Sequence, residues 1–126
     1  KTDGQVFEDV RLALGGIGFV SAVANIAPTA VARMYEAWTS GDQDTARDLH
    51  YALHPLVDLL FVETNPAPIK YVLARGGLID SPHVRAPLVE VTATGVASIE
   101  RLAEAGRDLL HPPLDRVPQL HQGDDR

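Results

Sequence analysis

His50, His54 and Asp58 recur every four residues, which lines them along one face of a helix. A His-x-x-x-His pair on a helix holds zinc when a third ligand completes the shell and a glutamate after the first histidine serves as general base. Here Tyr51 stands where that glutamate would be, and Pro55 falls in the turn that the ligands need, so the three residues read as a polar flank and no metal is assigned. The other chemistry-bearing side chains are two lysines, Lys1 and Lys70, and three tyrosines, Tyr35, Tyr51 and Tyr71. A lysine that forms an imine with a keto acid must sit desolvated in a pocket, with its pKa lowered. Lys70 follows a double proline in the first turns of a helix and reads as a surface, ion-pairing lysine. Lys1 is terminal, and the tyrosines fall in helical stretches as packing residues. No catalytic residue is therefore assigned within this chain.

The elements that carry these residues are mostly helical. Val6, Val10, Ala13 and Leu14 suit a short amphipathic helix over 5–14, closed by Gly15-Gly16. Ile17 to Val23 is apolar, β-branched and aromatic with only Ser21 polar, the pattern of a strand buried on both faces. Gly15-Gly16-Ile17-Gly18 precedes that strand instead of opening a helix, so it is not a dinucleotide fingerprint. Asn25 and Pro28 open a helix whose face is Val31, Met34, Tyr35 and Trp38, and Ser40-Gly41 stops it. Asp42 caps a long helix with an apolar seam of Ala46, Leu49, Leu53, Leu56 and Leu60, kinked at Pro55 because proline removes a backbone hydrogen bond. Asn65 caps and Pro66 restarts a helix to Arg75 that buries Ile69, Val72 and Leu73, with Gly76-Gly77 closing it. Residues 78–91 read as a loop, Thr92 or Thr94 caps a helix reaching Gly106, and the polar, proline-punctuated stretch 107–126 reads as a disordered tail.

Three ordered segments agree in spacing with one enzyme family. Leu60-Phe61-Val62-Glu63-Thr64-Asn65-Pro66-Ala67-Pro68-Ile69-Lys70 resembles a segment in the C-terminal helical region of the dihydrodipicolinate synthase family, pyruvate-dependent class I aldolase-type enzymes. Leu14-Gly15-Gly16-Ile17-Gly18-Phe19-Val20-Ser21-Ala22-Val23-Ala24-Asn25 is similar to the family's last barrel strand with its Gly-rich approach, and Arg85-Ala86-Pro87-Leu88 to its Arg-x-Pro-Leu. The resemblance covers about residues 1–106. It implies an α/β fold: the C-terminal fragment of a TIM (β/α)8 barrel, residues 1–41 supplying a helix, the last strand and the last helix, followed by a helical region over 42–106. With 126 residues the chain is too short for the ~250 of a closed barrel, and a first residue of Lys1 fits a fragment.

The resemblance further implies a lyase that condenses pyruvate with L-aspartate 4-semialdehyde through a Schiff base, in lysine and diaminopimelate biosynthesis. It implies a homotetramer without cofactor, with the imine lysine and the relay tyrosine in the part not present here. Val20 matches an apolar position that contacts pyruvate, Asp3 falls near the substrate mouth in a Thr2-Asp3-Gly4 turn, and Ser21 is a second mouth residue. Other pyruvate-dependent aldolases, such as N-acetylneuraminate lyase or a 2-keto-3-deoxy sugar acid aldolase, share the imine chemistry. A different class, a non-catalytic helical interaction module, is disfavoured by the strand at 17–23, which needs neighbouring strands.

Composition bounds the rest. A net charge of -6 without a basic stripe argues against nucleic acid, and the chain has no cysteine for a disulfide or thiolate. No apolar run approaches the ~18 residues of a membrane span, and no signal-peptide pattern opens the chain, which makes a cytoplasmic protein the expectation.

Overall fold

One long helix, Gln43–Leu60, organises the molecule. In the computed structural model, which describes residues 12, 14–111, 113 and 114, a 3₁₀ turn at Val23–Asn25 leads to α1 (Pro28–Ser40), α2 (Gln43–Leu60), α3 (Ala67–Arg75) and α4 (Ala93–Ala105). Leu53, Leu56, Leu59 and Leu60 of α2 are almost fully buried and meet Val31 and Met34 of α1, Ile69 and Val72 of α3, and Ile99 and Ala103 of α4 in one core. Burying a side chain of this size contributes roughly 1.5–3 kcal/mol, so this seam is the main source of cohesion.

The helix ends follow from local chemistry. Asp42 Oδ1 accepts the Thr45 N–H at 3.1 Å and caps α2, while Gly41, at φ 87°, ends α1 in the left-handed conformation that a Cβ disfavours. The N–H groups of Gly41 and Asp42 bond the carbonyls of Trp38 and Ala37, which satisfies two orphan acceptors of the last turn. The same motif closes α3, with Gly77 at φ 73° and the Leu78 N–H on the Leu73 carbonyl. Pro55 lies inside α2, which runs unbroken from Gln43 to Leu60 as its apolar register demands.

Several expectations need correction. No strand occurs among the described residues: 16–21 are irregular, and Val23 belongs to the 3₁₀ turn, 1% exposed in the core. A two-sided parallel strand is held by ladders on both edges, and the described residues offer neither neighbour. Helix α3 starts at Ala67, after a cis Asn65–Pro66 bond, and Asn65 makes no cap; Pro68, which has no N–H to lose, occupies the first turn instead. Two faces are rotated from the expected ones. On α1 the buried set is Ala30, Val31, Met34 and Ala37, with Tyr35 left near the surface, and on α3 Tyr71 is buried where Leu73 is only half-buried. The helix expected over 5–14 lies outside the described residues except for Leu12, which is helical and buried, and Leu14 in the turn that follows.

Beyond α4 the chain turns back through residues 106–109, and Leu109 and Leu110 pack partly against the core. The His111 N–H bonds the Ile26 carbonyl at 2.8 Å.

Candidate functional site

The segment expected to hold substrate-facing residues lies along α1. Tyr35 donates its hydroxyl to the Ile17 carbonyl at 3.2 Å, and its ring meets Phe19 edge-on at 6.1 Å between centroids. These contacts seat Phe19, whereas Ile17 is 95% and Val20 101% exposed. Ser21 differs, because its Oγ is buried and has no hydrogen-bond partner among the described residues. A buried hydroxyl left without a partner costs roughly 1–3 kcal/mol. Asn25 donates from Nδ2 to the Ala22 carbonyl at 3.0 Å, a local turn bond. Asp3 lies outside the described residues.

Lys70 is half-buried on α3, and its Nζ donates to the His83 carbonyl, tying the 78–91 loop to the helix. The ammonium is thereby used as a structural donor. His83 in turn takes its backbone N–H to Ser81 Oγ at 3.1 Å, and its Nδ1 lies 3.6 Å from Glu90 Oε1.

Two polar groupings were not read from the sequence. The first is Glu63, at the head of α3, whose carboxylate accepts the Thr92 N–H at 3.2 and 3.3 Å and the Thr92 hydroxyl at 2.5 Å. Thr92 Oγ1 also accepts the Gly95 N–H at 3.1 Å, so Thr92 is the cap of α4, one of the two threonines expected there. Glu63, Thr64, Ala67, Pro87, Leu88 and Val89 line a shallow cavity of about 300 Å³ between the Phe61-to-Lys70 segment and the Arg85-to-Leu88 crossing. Gly95, the third helical residue, holds no carboxylate that could complete a capping box, and that gap was the available signal for a partner elsewhere.

The second grouping joins α3 to α4. Glu100 Oε1 accepts from Tyr71 Oη at 3.1 Å and from Arg75 Nε at 3.0 Å. Burial, and then the bond to Glu100, pushes the Tyr71 phenol above its ordinary pKa, while the bond to Glu100 raises that of Arg75. Tyr71 and Arg75 sit four apart on one helix face, but nothing in spacing alone points to Glu100.

His50 and His54 meet through their Nε2 atoms at 3.1 Å, with the rings nearly perpendicular. Among the described residues no group of three His, Cys, Asp or Glu side chains is arranged to hold a metal, and Asp58 stays outside this pair.

This arrangement has counterparts among known proteins. The model of the dihydrodipicolinate synthetase family matches residues 4–106. The chain belongs to that family. Over 112 residues it is 52% identical to the 4-hydroxy-tetrahydrodipicolinate synthase of Methanopyrus kandleri, covering 89% of this chain and 33% of that protein. Its structure is similar to that of dihydrodipicolinate synthase from Thermotoga maritima, with a TM-score of 0.75 and 34% identity over 80% of this chain and 34% of that one. It is also similar to the chloride-inhibited dihydrodipicolinate synthase of Acinetobacter baumannii complexed with pyruvate, with a TM-score of 0.74 and 28% identity over 81% and 34% of the two chains. The chain thus spans about a third of the length of the curated relatives it matches.

Proposed function

We propose that this chain is the C-terminal third of a dihydrodipicolinate synthase-type lyase, which joins pyruvate to L-aspartate 4-semialdehyde through a lysine imine. The observation that carries this reading is the family match over residues 4–106, in a chain that spans a third of its relatives and whose two lysines are Lys1 and Lys70. Lys70 is committed to the His83 carbonyl, so the nucleophile belongs to the remaining two thirds. In this reading residues 1–41 end the barrel, 42–106 form the helical appendage, and 107–126 are a tail. The uncovered Ile17 and Val20 face neighbouring barrel elements and the pyruvate pocket. Ser21 Oγ finds its partner there, and Asp3 lies by the mouth.

The parts act by position. A barrel strand delivers side chains to the C-terminal rim, where catalytic groups from several strands converge. Val20 offers an apolar wall that excludes water from the keto acid, which strengthens every electrostatic interaction inside the pocket. Helix α1 steadies the segment that carries Val20, through the Tyr35 hydroxyl on the Ile17 carbonyl and the Tyr35 ring against Phe19. The complete enzyme is a cytoplasmic homo-oligomer, a tetramer by resemblance, that needs no cofactor.

Borohydride reduction of the full-length protein with pyruvate tests the assignment. A lysine outside these 126 residues should gain the reduced pyruvyl adduct, with Lys70 unmodified in the peptide map. An adduct on Lys70, or none on any lysine, would overturn the reading.

A further inference from the structure

We infer that His50 and His54 form a two-histidine surface site for a late first-row divalent metal ion, on the outer flank of α2 and apart from the pyruvate chemistry. The pair sits one helical turn apart, and each ring is half-buried. Pro55, one residue beyond, does not spoil the geometry, because α2 runs continuously through it. The Nε2 atoms lie 3.1 Å apart. With metal–nitrogen bonds of roughly 2.0–2.1 Å, that separation subtends about 95–100° at a shared ion, between the cis angle of square-planar copper and the tetrahedral angle of zinc. A metal would replace the direct contact between the two rings, each imidazole then offering its Nε2 lone pair to the ion.

No third histidine or carboxylate joins the pair among the described residues. The remaining coordination positions therefore fall to water, which gives an exchangeable site instead of a structural one. Tyr51, 63% exposed, borders both rings at 5.4 and 5.8 Å between centroids and shields one side of the pair. Imidazole donors and an open shell favour copper(II) over nickel and zinc by the usual order of affinities.

Copper(II) titration of the protein, followed by electron paramagnetic resonance, tests this. The wild type should show a type 2 signal with nitrogen splitting from two imidazoles, and His50→Asn and His54→Asn should each lose it, with affinity for that ion falling at least about tenfold. Because the two nitrogens converge only when the helix is formed, saturating copper should raise the Tm of the wild type and not that of the variants. Equal copper affinity in the wild type and both variants would overturn the inference. So would an unchanged wild-type Tm, which decides the matter even where a variant fails to fold.

Discussion

Glu63 performs from 29 residues upstream the role that a helix usually assigns to its own third residue. In a capping box a glutamate at that position accepts the cap residue's N–H, but α4 has Gly95 there, and the Thr92 N–H goes to Glu63 instead. The glycine is a condition of this exchange. A Cβ at residue 95 would lie 2.2 Å from Glu63 Oε1 and 2.7 Å from Val91 Cγ1. Gly95→Ala should therefore displace the carboxylate and cost about 1–3 kcal/mol, although alanine is the better helix former. Glu63→Ala should cost about 0.5–1.5 kcal/mol by removing these bonds, since Thr92 is exposed and water takes the place of the carboxylate. Denaturant unfolding of both single variants and the double variant checks the pairing. The double variant should be more stable than the sum of the singles by more than about 0.5 kcal/mol, and additivity within that margin would show that the two residues act independently.

Among the elements, α3 and α4 are joined less by apolar contact than by Tyr71, Arg75 and Glu100. Since folding raises the Tyr71 pKa, the folded state holds the phenolic proton more tightly than the unfolded one. The resulting stability is complete below the ordinary phenol value of about 10 and is lost as pH rises through the folded-state value. Tyr71→Phe should lower stability by roughly 0.5–1.5 kcal/mol at neutral pH and flatten the alkaline limb of a Tm-against-pH curve. An alkaline limb identical to that of the wild type would refute the link.

How far the elements could be read beforehand depended on what decided them. Periodicity and caps located α1, α2 and α4, because Asp42, Thr92 and the Gly41 stop act within a turn of themselves. The faces of α1 and α3 were harder, since Tyr35 and Tyr71 look equally apolar in sequence and were sorted by hydroxyl partners 18 and 29 residues away. Gly106 was legible only as a helix stop. Its second reason is the approach of α4 to α2, where a Cβ would meet Leu56 Cδ2 at 2.5 Å. The Val20 and Ser21 segment was read from its motif alone, and its apolar pattern calls for neighbouring strands that do not occur among the described residues.

For the whole molecule, that mismatch sets behaviour in solution. Leu14, Ile17 and Val20 are 82%, 95% and 101% exposed within seven residues, a cluster of apolar surface able to seek a partner. Sedimentation of the 126-residue chain alone should show association that grows with concentration and that Ile17→Lys with Val20→Lys suppresses. A soluble monomer with a sharp, reversible thermal transition would contradict this.

The bond from His111 to Ile26 carries a topological consequence. It brings the chain's approach to α1 and its departure after α4 to one spot, so the four helices form a nearly closed circuit. Such a unit can be exchanged between proteins or rejoined in a new order without dragging its neighbours, because both seams lie side by side. A displacement at that seam would reach both ends of the circuit together.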